Sequence, residues 1–384
     1  MGQRRATTQT YAGSLADARM FRAIVPQVAF TPGPQGGSMA DDLAAHMPLA
    51  GAKAWCLTDD KAGMQVQVRG VAEALGLAVD WKQVQPRTLW RAMAPWGPVD
   101  PREGFGVPGG RYSPPWPVIA LATGRLSIPY IRLLKRQAGI ATYTVVLQDP
   151  KTGPGTADLI WVPEHDRRRG ANVLTTLTAP HNFSPARLAE LRKSIPPQIA
   201  ALPAPRIAVI LGGKNGTYRF TDADDDRFAA SLQSFARLGA SFLITPSRRT
   251  HKRLLAAALG ATEGAPRIVW DETGDNPYPA FLAHADHFIV TADSVNMTGE
   301  PCATGRPVWV FEPSGGSAKF RRFHESLRRY GATRLLPDAV TTLETWDYSP
   351  LDSATRIARE IERRWLARRR MLSGLIGAVD RHRD

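Results

Sequence analysis

The stretch His287–Phe311 reads HFIVTADSVNMTGEPCATGRPVWVF. Phe288–Val290 is apolar and β-branched, so it reads as a buried strand. Thr291-Ala292-Asp293-Ser294 turns the chain into a helix, Gly305 ends that helix, and Arg306-Pro307 leads into a second strand, Val308–Phe311. Strand, helix and strand in succession are the unit of a parallel sheet. In such sheets ligands bind outside the carboxyl ends of the strands. A helix starting there offers unpaired N–H groups and the positive end of its dipole. The amides of Ser294, Val295, Asn296 and Met297 are therefore expected to face a diphosphate. Glu300 falls two turns on, where a carboxylate can accept from vicinal hydroxyls such as those of a ribose. An ordinary αβ unit capped by Ser or Asp explains Asp293 and Ser294. It does not explain an acid on the second turn before Gly-x-Pro.

The same half opens with a buried strand, Ile207–Leu211, followed by Gly212-Gly213-Lys214-Asn215-Gly216. Glycine permits close approach of backbone to phosphate, and Lys214 adds charge. The loop is not a Walker A motif, because no Ser or Thr follows the lysine. Tyr218 is either a stacking partner for a base or a core or rim aromatic. Asp222, Asp224, Asp225 and Asp226 follow Thr221 and read as helix capping and dipole compensation rather than metal ligands. No metal site is expected. Beyond lie a helix over Asp224–Leu238, a strand Phe242–Thr245, a helix after Ser247, a strand Arg267–Trp270 and a short helix near Tyr278–Ala285.

Upstream, Ser194–Pro205 holds four prolines in twelve residues and reads as a boundary. This divides the chain into 51–195, a linker at 196–205, 206–345, and a basic helix and tail at 346–384. Residues 1–50, polar and rich in Gly and Pro, read as a disordered or loosely attached extension, with order from Ala52. The first half repeats the α/β rhythm: strands at Ala54–Leu57, Leu77–Val79, Val118–Ala122, Thr142–Leu147, Leu159–Val162 and Val173–Thr176, helices at Met64–Leu75 and Ile128–Gln137. Its strand ends gather polar groups on one edge. These are Asp59, Asp60, Lys61 and Gly63; Gly124 and Arg125; Asp149; Glu164 and His165; and His181. A general base is expected among Asp59, His165 and His181. Residues 86–117 interrupt the rhythm with Trp90, Trp96, Phe105, Tyr112 and Trp116. A long aromatic loop is either functional or a seal for the domain edge.

The 384 residues favour two domains, and 43% apolar composition lets each bury a core. Lys plus Arg is 49 and Asp plus Glu 35, a net charge of +14. Such a field suits an anionic membrane or phosphorylated ligands, or reflects arginine on solvated surfaces. No zinc finger, RNP or KH motif points to nucleic acid. Cys56 and Cys302 make neither a disulfide framework nor a zinc site. No apolar run of eighteen and no signal segment is present, so a cytoplasmic location is expected, peripheral on the inner membrane. In the tail, Leu351–Ser373 has Ile357, Ile361, Trp365 and Leu372 near helical spacing, with basic residues between. The spacing leaves open whether this helix crosses back to the first domain.

Several of these segments together resemble a known family. Thr58–Gln65 with Leu75-Gly76, Thr123-Gly124-Arg125, Leu147–Pro150, Val162–Asp166, Ala179-Pro180-His181, Gly212-Gly213 and Thr291–Met297 are similar to signatures of the elongated-mitochondria family, named for mitochondrial fission. Its bacterial members often carry the label nucleoside-diphosphate-sugar epimerase. The likeness runs in order over about 52–340. It implies a glycosyltransferase-B fold, two Rossmann-like parallel-sheet domains facing across a cleft. Asp293–Glu300 followed by Gly305-Arg306-Pro307 resembles the donor-binding segment of lipid-linked N-acetylglucosaminyltransferases. The likeness implies that Glu300 holds a ribose and Ser294–Met297 a diphosphate. Here Gly299 stands where a Ser-Glu pair is common. The implied activity is metal-independent transfer of a sugar, UDP-linked, to an envelope lipid or glycan, with Asp59 or His165 as base and no further cofactor. The alternative is a non-catalytic scaffold at a membrane surface. Epimerase chemistry fits poorly, since neither Gly-x-Gly-x-x-Gly nor Tyr-x-x-x-Lys is found.

Overall fold

The computed structural model describes residues 48–59 and 62–381. Asp60, Lys61 and residues 1–47 lie outside the described residues. Two six-stranded sheets, parallel throughout, form the molecule. The first contains β1 (Lys53–Thr58), β2 (Ala78–Gln83), β3 (Ile119–Thr123), β4 (Tyr143–Leu147), β5 (Leu159–Pro163) and β6 (Val173–Thr176), in the order β2-β1-β3-β4-β5-β6. The second contains β7 (Arg206–Leu211), β8 (Ser241–Pro246), β9 (Arg267–Val269), β10 (His287–Thr291), β11 (Val308–Phe311) and β12 (Thr333–Leu335), in the order β12-β11-β10-β7-β8-β9. Both are doubly wound. The chain reverses direction across the sheet between β1 and β3 in the first, and between β7 and β10 in the second. These switch points are where crevices open at strand carboxyl ends.

The helices are α1 (Ala62–Ala74), α2 (Thr88–Met93), α3 (Ile128–Ala138), α4 (Pro185–Arg192), α5 (Pro197–Ala200), α6 (Asp222–Arg237), α7 (Lys252–Ala261), α8 (Tyr278–His284), α9 (Val295–Gly299), α10 (Ala318–Tyr330) and α11 (Ser353–Arg381). Every residue of β3, β4, β5 and β10 is buried, as expected of strands covered on both faces. One face of the first sheet packs on Val68 and Val71 of α1 and Leu75 just after it, together with Ile357, Ile361 and Trp365 of α11. The tail helix therefore crosses back to the first domain. Leu49 is fully buried in the same cluster, so packing begins before Ala52.

The other face meets Ile131 and Leu134 of α3 and the aromatic loop. Phe105 stacks on Tyr112 with ring centres 5.4 Å apart, and Trp55 meets Tyr112 at 6.3 Å. These rings seal the domain edge, whereas Trp96 is 67% exposed.

Two expectations need correction. Phe183 and Leu188, and Ile199 and Leu202 within the proline-rich stretch, all join the core of the second domain. The changeover between cores thus precedes 196–205, because burial of four large apolar side chains outweighs the local loop signal. The helix after Ser294 is also shorter than expected. It ends at Gly299, and Pro301, which lacks an N–H, opens a 3₁₀ turn over Pro301–Ala303. Glu300 stands between the two. Among the described residues, no helix is long and apolar enough to cross a membrane.

Candidate functional site

The second switch point is built around Asp293, which follows β10. Its carboxylate is buried and accepts from Thr291 Oγ1 at 2.6 Å, the Gly213 amide at 3.1 Å and Arg249 Nη2 at 2.7 Å. Its carbonyl accepts from Asn215 Nδ2 at 3.0 Å. Removing so many polar groups from water is tolerable only because each is paired. A Cβ on Gly212 would lie 1.9 Å from Asp293 Oδ1, and one on Gly213 1.8 Å from the Arg249 carbonyl. The close approach that these glycines permit is therefore to the chain's own Asp293 and Arg249. Ser294 caps α9, accepting from the Met297 amide at 3.3 Å. Val295, Asn296 and Met297 are half-buried, and Lys214 is exposed.

A cavity of about 510 Å³ opens beside this clasp, outside the carboxyl ends of β7, β8 and β9. Ile210, Pro246, Trp270 and Met297 give it apolar walls, and Arg248, Tyr278 and Glu300 give it polar ones. Tyr278 Oη donates to Glu300 Oε2 at 2.6 Å. Burial pushes the Glu300 carboxyl up to about 7, against the opposite pull of that hydrogen bond. Burial, then the Glu300 charge, raises the Tyr278 hydroxyl well above its ordinary range. Arg248 has no ion pair among the described residues. Arg248, Trp270 and Tyr278 escaped the sequence reading. The available signal was Ser247-Arg248-Arg249 at a strand end, where a ligand is expected.

The first-domain candidates are dispersed. Asp59 is buried at the end of β1, and a Cβ on Gly124, whose φ is +86°, would lie 2.9 Å from its Oδ2. Gly63 brings α1 close to Asn296: a Cβ there would sit 3.6 Å from Asn296 Nδ2. This is where the two motifs meet across the cleft. His165 lies in the seam between domains, its ring edge-on to Phe323 at 5.3 Å and its carbonyl accepting from Arg322. Lys319 pairs with the adjacent Asp166 at 2.8 Å. Burial, then Lys319, lowers His165 to about 4, and burial lowers His181 to about 4. His181 Nδ1 accepts from the Phe183 amide at 3.2 Å.

Of the other candidates, Asp149 pairs with Lys151 and Arg168. Arg125 donates to the Ala94 carbonyl at 2.6 Å, and Glu164 is exposed. None of these lines the cavity, all of whose walls come from the second domain.

Two further expectations resolve plainly. Tyr218 is buried, edge-on to Phe320 at 5.2 Å, so it is a core aromatic. Thr221 and Asp224 form a reciprocal capping box, while Asp225 and Asp226 bind Arg253. Among the described residues no group of three His, Cys, Asp or Glu is arranged to hold a metal ion.

Two doubly wound sheets with a returning C-terminal helix define a protein of the glycosyltransferase-B architecture. The chain belongs to the mitochondrial fission ELM1 family, whose model matches residues 62–365. It is 28% identical over 281 residues to the mitochondrial fission protein ELM1 of Arabidopsis thaliana, covering 66% of each chain. It is 31% identical over 161 residues to the uncharacterized protein RP120 of Rickettsia prowazekii (strain Madrid E), covering 40% of this chain and 45% of that one. The chain thus spans just under two thirds of the first relative and under half of the second. Among solved structures it is similar to the UDP-GlcNAc 2-epimerase of Methanocaldococcus jannaschii, with a TM-score of 0.45, 10% identity and coverage of 80% of this chain and 99% of that one. It is also similar to a UDP-glucosyltransferase from Polygonum tinctorium, with a TM-score of 0.45, 11% identity and coverage of 86% and 95%.

Proposed function

We propose that the second domain binds a nucleotide-diphospho-sugar and that the protein transfers the sugar to an envelope lipid or glycan held by the first domain. The observation that carries this reading is Glu300, a half-buried carboxylate on the wall of a nucleotide-sized cavity at strand carboxyl ends. Ionised, it accepts from the ribose hydroxyls. Ile210, Pro246 and Trp270 offer apolar surface to the base. Arg248 and Lys214 supply positive charge to the diphosphate as it leaves with the bonding electron pair. Asp59, at the opposite switch point, takes the proton of the attacking acceptor hydroxyl. His165, packed into the seam, is the poorer candidate for that role.

A second reading, a non-catalytic scaffold, is favoured by Tyr278, whose hydroxyl already holds one Glu300 oxygen. Calorimetric titration with uridine diphosphate and UDP-N-acetylglucosamine separates the two. Binding by the wild type that falls about 10- to 100-fold in Glu300→Ala supports the donor site. Absence of any nucleotide binding favours the scaffold.

A further inference from the structure

The aromatic loop between β2 and β3 is only partly absorbed by the core, and its outer part has a composition of its own. Between Pro86 and Arg136 the sequence carries eight Lys or Arg against two acids, Asp100 and Glu103. Both acids are turned inward: Arg87 pairs with Asp100 at 2.7 Å and Tyr130 donates to Glu103 at 3.0 Å. Arg91, Arg102, Arg111 and Arg136 remain exposed with no ion pair among the described residues.

Among these cations stand large apolar side chains. Leu89 is 60% exposed, Trp96 67%, Val107 54% and Ile140 41%. Helix α2, which carries Leu89, buries none of its residues. Trp96, Val107 and Ile140 follow one edge of α3. Trp96, Pro129, Leu133 and Arg136 line a common hollow of about 280 Å³. A Cβ on Gly106, beside Val107, would lie 2.8 Å from Gln137, and Ile140 follows the helix end.

Trp96 is held in its exposed position. Its Nε1 donates to the Lys151 carbonyl at 3.2 Å, and its carbonyl accepts from Arg132 at 3.0 Å. A fixed, outward tryptophan among aliphatic residues and unpaired arginines is the arrangement that enters a headgroup layer. The apolar groups gain by leaving water, and each nearby cation gains from negative surface potential.

We propose that this platform, formed by α2, the loop and the edge of α3, docks the protein on an anionic lipid bilayer. It lies apart from the cavity, so the test requires no nucleotide. The full chain is floated with phosphatidylcholine–phosphatidylglycerol vesicles and with pure phosphatidylcholine vesicles, at low and high salt. Binding to the anionic vesicles is expected, with a fall of about tenfold in Leu89→Ala/Trp96→Ala. A fall of about tenfold or more is expected in Arg91→Glu/Arg136→Glu. All four positions are exposed or lie on the helix that buries nothing, so folding is retained; an unchanged melting temperature checks this. The proposal is overturned if the wild type ignores anionic vesicles at low salt. It is equally overturned if the apolar double variant binds like the wild type, since the attraction is then charge alone. Binding of a single-stranded oligonucleotide that displaces vesicles and survives Trp96→Ala would also sink it, in favour of a nucleic-acid surface.

Discussion

At the first switch point Asp59 follows β1 and Gly124 faces it from the end of β3; at the second Asp293 follows β10 and Gly212 faces it from the end of β7. The pairing is the same, an acid packed on a glycine where the chain reverses, but the clearances differ. A methyl on Gly212 would penetrate the Asp293 carboxylate at 1.9 Å, whereas one on Gly124 would graze Asp59 at 2.9 Å and the flexible Met64 Sδ at 3.0 Å. The second acid is a clasp that fixes two loops and an arginine, and the cavity lies beside it, on Glu300. Chemistry at a strand end therefore does not belong automatically to the most conspicuous acid there.

The largest test of this contrast is structural. Gly212→Ala should cost about 3 kcal/mol or more, because a buried, fully bonded carboxylate cannot yield. Gly124→Ala should cost about 1–2 kcal/mol, chiefly for its positive φ. Equal losses in denaturant unfolding would show that both acids are clasps.

Next come binding and turnover. Glu300→Gln should weaken nucleotide binding about 10- to 100-fold. Asp59→Asn should leave affinity within about twofold and lower kcat about 100-fold. Weakened binding in both would place Asp59 with the donor.

Acid separates the same groups by sign. His165 and His181 are depressed from 6.5 to about 4. Their unfolded forms take up protons first, so stability is present above about 6.5 and lost as pH falls toward 4. Glu300 is raised from 4.5 to about 7. Its contribution has the opposite sign: stability is greatest below 4.5 and declines as pH rises toward 7. Nucleotide affinity, which needs the ionised carboxylate, should instead climb through pH 7. Titrations of melting temperature and of affinity should therefore run differently. In Glu300→Gln the residual affinity should lose its pH dependence. The smallest effect is expected from Lys214→Ala, below about threefold in affinity, because the exposed ammonium is solvated.

Much of this architecture could be read from residues. The run His287–Thr291 is a strand with the expected ends, and Thr221 with its acids caps α6 as composition suggested. The parallel rhythm is legible because strands covered on both faces are apolar throughout. The linker was harder, since proline density at 196–205 competes with Ile199 and Leu202, and the core won. Glu300 was legible as an acid with no capping duty. Arg248, Trp270 and Tyr278 were not, because three separate loops converge on them only in the folded sheet. The packing of Gly212 and Gly213 on Asp293 and Arg249 is hidden for a related reason: a sequence shows that backbone comes close to something, but not to what.

The crossing helix α11 joins the last described residues to the first sheet. A ribosome releases Lys53–Thr176 long before Ile357, Ile361 and Trp365 exist, so the part of that face which α11 covers stays bare until the helix has been made. The second domain can fold meanwhile. In effect the first domain, begun earlier, is latched after the second.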